Sequence, residues 1–149
     1  MISVLATVFA VVHMRWFAPL AAEGGWFTTF TQGVPVFPAN CLCGFAIGVA
    51  FGAVLRRTVP AMAATLVGSV VWSLVVWIGL RPHYLSPVIS RPTEAVRDSF
   101  IVGHPGIDLV SCHPAERFWL FQGIEAGLLV ATALALFAFT GWWLRRISV

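Results

Sequence analysis

The sequence predicts an all-α fold, a polytopic membrane helical bundle with four transmembrane helices and an extracytoplasmic loop. Three observations carry this. Of 149 residues, 59% are hydrophobic and 10% are charged, whereas soluble domains carry about 25% charged residues. Apolar residues gather in four runs, at about 2–19, 38–55, 60–80 and 117–144, each of a length suited to a membrane helix. The polar residues concentrate in one stretch, 81–116. Residues 1–149 read as a single transmembrane domain.

The first run is almost wholly apolar from Met1 to Val12 and closes on His13, Met14, Arg15, Trp16 and Phe17. Arg and Trp mark a membrane interface. No basic leader precedes the run and no small-residue cleavage pattern follows it, so it reads as a span, not a signal peptide. It starts without leading cytoplasmic residues, which suggests the rear part of something longer. Residues 21–37 contain Gly24, Gly25, Gly33 and Pro35 and read as a loop. Trp26, Phe27 and Phe30 suit a plain connector or an interfacial helix equally.

The second run carries Gly44, Gly48 and Gly52, each four residues apart. That spacing makes a smooth groove on one helix face, against which another backbone can pack closely. Arg56-Arg57-Thr58-Val59-Pro60 is a tight turn, and Pro60 fits the first turn of the next helix. That helix ends at Arg81-Pro82, and its Ala64 and Gly68 repeat the small-residue spacing. The two runs form a helical hairpin with Arg56 and Arg57 at its tip. From Arg81 to Arg117 four Arg stand against four acidic residues, which excludes a nucleic-acid arm or a polybasic lipid patch. An ordered cap with short helices, around Pro92 to Phe100, is expected.

The last run begins with Pro114 and Glu116, residues favoured in a first helical turn. From Phe118 to Leu144 it would extend roughly 40 Å as a helix. Phe118 and Trp119 mark one interface and Trp142 and Trp143 the other, with Arg145-Arg146 just beyond. Inside it lies one charged group, Glu125. An ionisable group in a span is costly and faces protein or water. Gln122 shares nearly the same face. Glu125 therefore reads as a polar point on a substrate route or gate, or as a structural partner for Arg81 or Arg117 at the outer interface. Gly123, Gly127, Ala131 and Ala135 line a different face, about 200° away. The last helix is expected to have two protein-facing sides.

Several chemistries are excluded. All nine basic residues are Arg, so the chain lacks the Lys of a phosphate-binding G-x-x-x-x-G-K-[ST] loop. Any ATP hydrolysis belongs to a partner subunit. No G-x-S-x-G nucleophile elbow occurs. His83, His104, Asp108, Cys112 and His113 are metal-ligating types. They show neither helical i, i+4 pairing nor C-x-x-C spacing, so surface and capping roles are expected, with no metal and no cofactor. Cys41 and Cys43 point to different sides of a helix and do not suit a disulfide, and the three Cys read as buried membrane thiols. The density of Arg beside the span ends places both termini and the Arg56-Arg57 turn in the cytoplasm.

Two stretches carry a family resemblance: GFAIGVAFGAVLRRTVPAMAATLVGSVVWSLVVWIGLRPHYLSP (Gly44 to Pro87) and HPAERFWLFQGIEAGLLVATALALFAFTGWWLRR (His113 to Arg146). Their Gly48, Gly52, Arg56, Arg57, Pro60, Arg81, Pro82, Arg117, Trp119, Gln122, Glu125, Trp142 and Trp143 resemble the rear half of a bacterial ABC transporter permease of the type-two, exporter-like class. The resemblance implies a multi-pass cell-membrane permease subunit, working as a homo- or hetero-oligomer with a separate ABC ATPase in trans. Such permeases also have a front part with two more spans and an acidic amphipathic segment that meets the ATPase, and this chain lacks it. The alternative is a non-transporting membrane protein: an assembly factor, a regulator or an inactive permease remnant.

Overall fold

In the computed structural model, residues 2–90, 99–106 and 109–147 are described. Four helices form the bundle: α1 (Ile2–Gly24), α2 (Val36–Leu55), α3 (Thr58–Leu74) and α4 (Phe118–Ile147). Among the described residues three helical segments are long and apolar enough to cross a membrane, Val36–Leu55, Thr58–His83 and Ala115–Ile147, and α1 adds a shorter apolar stretch, Val4–Pro19. The chain is a polytopic helical bundle. α3 exposes Val59, Met62, Leu66, Val67, Val70, Val71 and Leu74 and buries only Ala61. So large an apolar surface is stable against lipid or another chain, not against water.

α1 continues past Pro19 to Gly24, because good helix formers flank the proline. A 3₁₀ segment, Trp26–Gln32, then turns the chain into α2. The His13 imidazole sits 3.0 Å from the Gln32 side-chain oxygen and ties the two elements. α2 and α4 form the central seam. They run in the same direction: Phe30, before α2, packs on Phe118 at the start of α4, and Phe45 packs on Phe137 further along. The buried face of α2 is Val36, Ala39, Cys43, Ala46, Ile47 and Ala50. α4 answers with Phe118, Phe121, Gln122, Glu125, Leu129, Ala133 and Thr140. The spacing of three and four residues on both sides is that of an apolar helix stripe. Hydroxyls in the spans bond their own helices: Thr65 to the Ala61 carbonyl, Thr132 to Leu128 and Thr140 to Leu136. In each of these three the hydroxyl proton is spent within the helix and not left bare in hydrocarbon.

The expected glycine faces are only partly used within the chain. A Cβ added at Gly48 would meet Thr65 Cγ2 at 3.5 Å, but at Gly44, Gly52, Gly123 or Gly127 it would meet nothing within 4 Å. The tight α2–α3 approach lies at Gly68, where a Cβ would come 2.8 Å from Phe51. The alanines of α2, not its glycines, face the seam. α4 accordingly has one enclosed side, carrying Gln122 and Glu125, and the Gly123 side is open.

The segment after α3 differs from the expected helical cap. It folds as a three-stranded antiparallel sheet of order β1-β3-β2, with β1 Val88–Ser90, β2 Phe100–Gly106 and β3 Leu109–His113. Val88 pairs with Cys112, and Phe100 with His113. Alternation in Leu109–His113 buries Val110 and Cys112, a strand signal hidden by the surrounding prolines and glycines. Pro105 sits in β2, an edge strand, where its missing N–H is tolerated. The expected helix around Pro92 lies outside the described residues up to Ser99, and Phe100 begins a strand. Cys41, Cys43 and Cys112 are free thiols.

Candidate functional site

At the end of the bundle that carries the sheet, α3 changes character. Val75–Leu80 is a π-helical turn, followed by a 3₁₀ turn at Arg81–His83. Pro82 has no N–H to continue the ladder. Val76 and Arg81 are both buried, five residues apart. In a regular α-helix these positions would differ by about 140° around the axis. The wider i→i+5 turn brings them towards one face, and Arg81 points inward. His83 Nδ1–H donates to the Gly79 carbonyl at 3.0 Å, closing the helix end. The carbonyl can only accept, so Nδ1 carries the proton there.

Arg81 meets Glu125 on α4. Its Nε donates to Oε2 at 2.9 Å and its Nη2 to Oε1 at 2.7 Å. The side chains are 5% and 4% exposed. The bidentate fork is the strong geometry for such a pair. The guanidinium also lies over the Phe30 ring, 4.2 Å from its centroid. Gln122, one turn before Glu125, donates its amide to the Phe30 carbonyl. α3, α4 and the 3₁₀ segment before α2 are thus joined at one buried polar point. Arg117, the other candidate partner, instead donates to the Ser86 carbonyl at 2.9 Å.

Gly33 belongs to this point, and sequence reasoning gave it no role. A Cβ there would lie 2.4 Å from the Gln122 amide nitrogen. Its backbone is ordinary, so the requirement is closeness, not conformation. An aromatic shell surrounds the polar groups. Phe27 packs edge-on against Phe118 and Phe121, and stacks on Phe30. Tyr84 packs on Phe121 at 5.7 Å. Burial pushes the Tyr84 phenol up to about 12, and the nearby Glu125 carboxylate adds to the rise.

His113 corrects the expected surface role. It is fully buried, 4.7 Å from Phe121 and stacked on Phe100. Burial holds its pKa below the ordinary histidine value of 6.5. No cluster of three metal-ligating side chains occurs among the described residues. His83 is an exposed helix cap, His104 is exposed, and Asp108 lies outside the described residues.

A cavity of about 480 Å³ opens beside the ion pair, lined by Phe27, Phe30, Trp72, Trp77, Arg81 and Glu125 among others. Its walls are largely aromatic and aliphatic, with Thr31, Asn40 and Ser73 adding polar groups beside the ion pair.

The chain is thus a polytopic helical bundle with a buried ion pair at one end. The family model described as ABC-2 membrane transporter related matches residues 1–81, and the chain belongs to that family. The match runs from α1 through Arg81, so the ion pair links the last matched residue to a helix beyond it. No curated protein and no solved structure matches the chain.

Proposed function

We propose that the chain is the membrane-embedded permease subunit of an ABC transporter, or the C-terminal part of one. It contributes part of a translocation path, and a separate ATPase in trans supplies the work. The observation that carries this is the Arg81–Glu125 pair, which lines the cavity of about 480 Å³ near the sheet end of the bundle. A buried ion pair adds little to stability compared with apolar packing of equal volume. It suits a latch, since its two arrangements, joined in protein or parted in water, are discrete. The sheet would be extracytoplasmic, and the termini and the Arg56-Arg57 turn would face the cytoplasm of the cell that bears the protein in its plasma membrane. The open faces at Gly44, Gly123 and Gly127 support contact with a second subunit, because each admits a neighbouring backbone.

The test is affinity purification of the chain from native membranes in mild detergent. Recovery of a subunit bearing a phosphate-binding lysine loop, with ATPase activity that rises on reconstitution with this chain, is the expected result. Clean recovery without any such subunit, from membranes where the longest in-frame chain is tagged, would favour the non-transporting alternative.

A further inference from the structure

The other end of the bundle holds a groove that the latch does not use. α2 ends at Leu55, and Arg56 takes a left-handed conformation with φ 51°, its N–H donating to the Gly52 carbonyl at 3.2 Å. α3 starts at once with Thr58. Between the helices lies a groove of about 810 Å³, with Arg56 and Arg57 at its mouth and Gly48, Gly52, Ala61 and Thr65 along its floor. From Arg56 to Gly48 it runs about 12 Å along the helix axis. Its depth is apolar apart from Thr65 and Ser69. The Thr65 hydroxyl is spent on the Ala61 carbonyl at 2.7 Å. What Thr65 turns towards Gly48 is its methyl group, 3.5 Å from the Cβ position.

The charge at the mouth is unbalanced. Both Arg are exposed, and neither has an ion-pair partner among the described residues. No acidic residue occurs between Val36 and Leu80, or after Glu125. Because α2 and α4 run in the same direction, Arg145 and Arg146 stand at this end too.

We infer that this groove binds an anionic phospholipid, its phosphate held by Arg56 and Arg57 and one acyl chain lying on the Gly48–Gly52 floor. A water-soluble acidic partner could meet the arginines but could not follow the groove into the span. An acyl chain can, and a phosphate attached to it arrives at the depth of the turn. Guanidinium groups suit phosphate through their planar fork. The inference does not depend on the permease reading.

The test is lipid retention by native mass spectrometry of the full chain, with dioleoyl phosphatidylglycerol and dioleoyl phosphatidylcholine supplied in competition. Phosphatidylglycerol should be retained on the order of tenfold more tightly, from roughly a kilocalorie-scale attraction per arginine near the surface. Arg56→Gln/Arg57→Gln should abolish that preference. Gly52→Leu should weaken retention with both charges intact, and the fold admits it because nothing lies within 4 Å of the Cβ position. Met62→Trp, at an exposed position lining the groove, should do the same. Arg145→Gln/Arg146→Gln should leave retention unchanged. Equal retention of the two lipids would overturn the inference. So would full retention by both groove-filling variants, full competition by glycerol phosphate alone, or an equal loss in the Arg145/Arg146 variant.

Discussion

Replacing Glu125 by Gln leaves Arg81 buried without its counter-charge, and Arg cannot shed its proton. Breaking a buried pair by removing one partner costs about 3–5 kcal/mol. The geometry supports that range: two contacts of 2.7 and 2.9 Å, both side chains almost fully enclosed. At a charge separation of roughly 4 Å and an effective dielectric of about 20, the lost attraction is about 4 kcal/mol. The Phe30 ring over the guanidinium would retain only a fraction, on the order of 1–2 kcal/mol. Arg81→Met should cost a similar amount. Arg81→Met with Glu125→Met together should cost much less than the sum, because no orphan charge remains. The assay is reversible unfolding in mixed micelles by denaturing detergent, followed by the fluorescence of the seven Trp. Neutral polar contacts between membrane helices couple by about 0.6 kcal/mol on average. A coupling energy above about 2 kcal/mol therefore identifies a charge pair. A value near 0.6 kcal/mol, or a Glu125→Gln cost below about 1 kcal/mol, would refute the reasoning.

Gly33→Ala should destabilise by about 1–3 kcal/mol by overpacking, and Gln122→Ala in the same chain should recover most of it, a non-additivity read in the same unfolding assay. Gly68→Ala should destabilise through Phe51, 2.8 Å from the new Cβ, and Phe51→Leu should relieve it. Gly123→Ala and Gly127→Ala, which meet open space, should stay within about 0.5 kcal/mol in the monomer; a loss of oligomer with unchanged monomer stability would place a second chain on that face. His113 makes stability depend on pH. Its folded pKa lies below the unfolded 6.5, so the unfolded state takes up the proton first. Its contribution is whole above about pH 6.5 and erodes as pH falls below that value towards the folded pKa. Thermal melts from pH 8 to pH 5 should show that loss, and His113→Phe should flatten it.

The helices were legible because lipid-facing helices are apolar on nearly every side, and run length alone locates them. Glu125 stood out for the same reason: one acid in a long apolar run must have a partner. That Arg81 is the partner, and Arg117 is not, depends on the π turn before Pro82. A hydrophobic run does not display such a turn, since it changes the register without changing composition. The glycine pattern locates the α2–α3 approach, at Gly48 and Gly68, and leaves Gly44, Gly52, Gly123 and Gly127 without a neighbour among the described residues. Gly48 packs against α3, but the α2–α4 seam is built on Ala39, Ala46 and Ala50. Small residues mark close approach without saying which face makes it. The sheet escaped notice because its strands are short, and Pro105, Gly103 and Gly106 break the alternation of β2. Gly33 became legible only when Gln122 was seen against it.

The central claim is that Arg81 and Glu125 form a latch that opens when the ATPase works. The direct measurement is the distance between spin labels at Trp77→Cys and Trp119→Cys, two exposed positions flanking the pair, in a chain whose three native Cys are replaced. In membranes supplied with an ATPase subunit, if the purification above recovers one, the account predicts one short distance without nucleotide and a second, longer population with ATP. Glu125→Gln should populate the longer distance without ATP. A single distribution, unmoved by nucleotide and by Glu125→Gln, would contradict the latch and leave the pair a fixed structural bond.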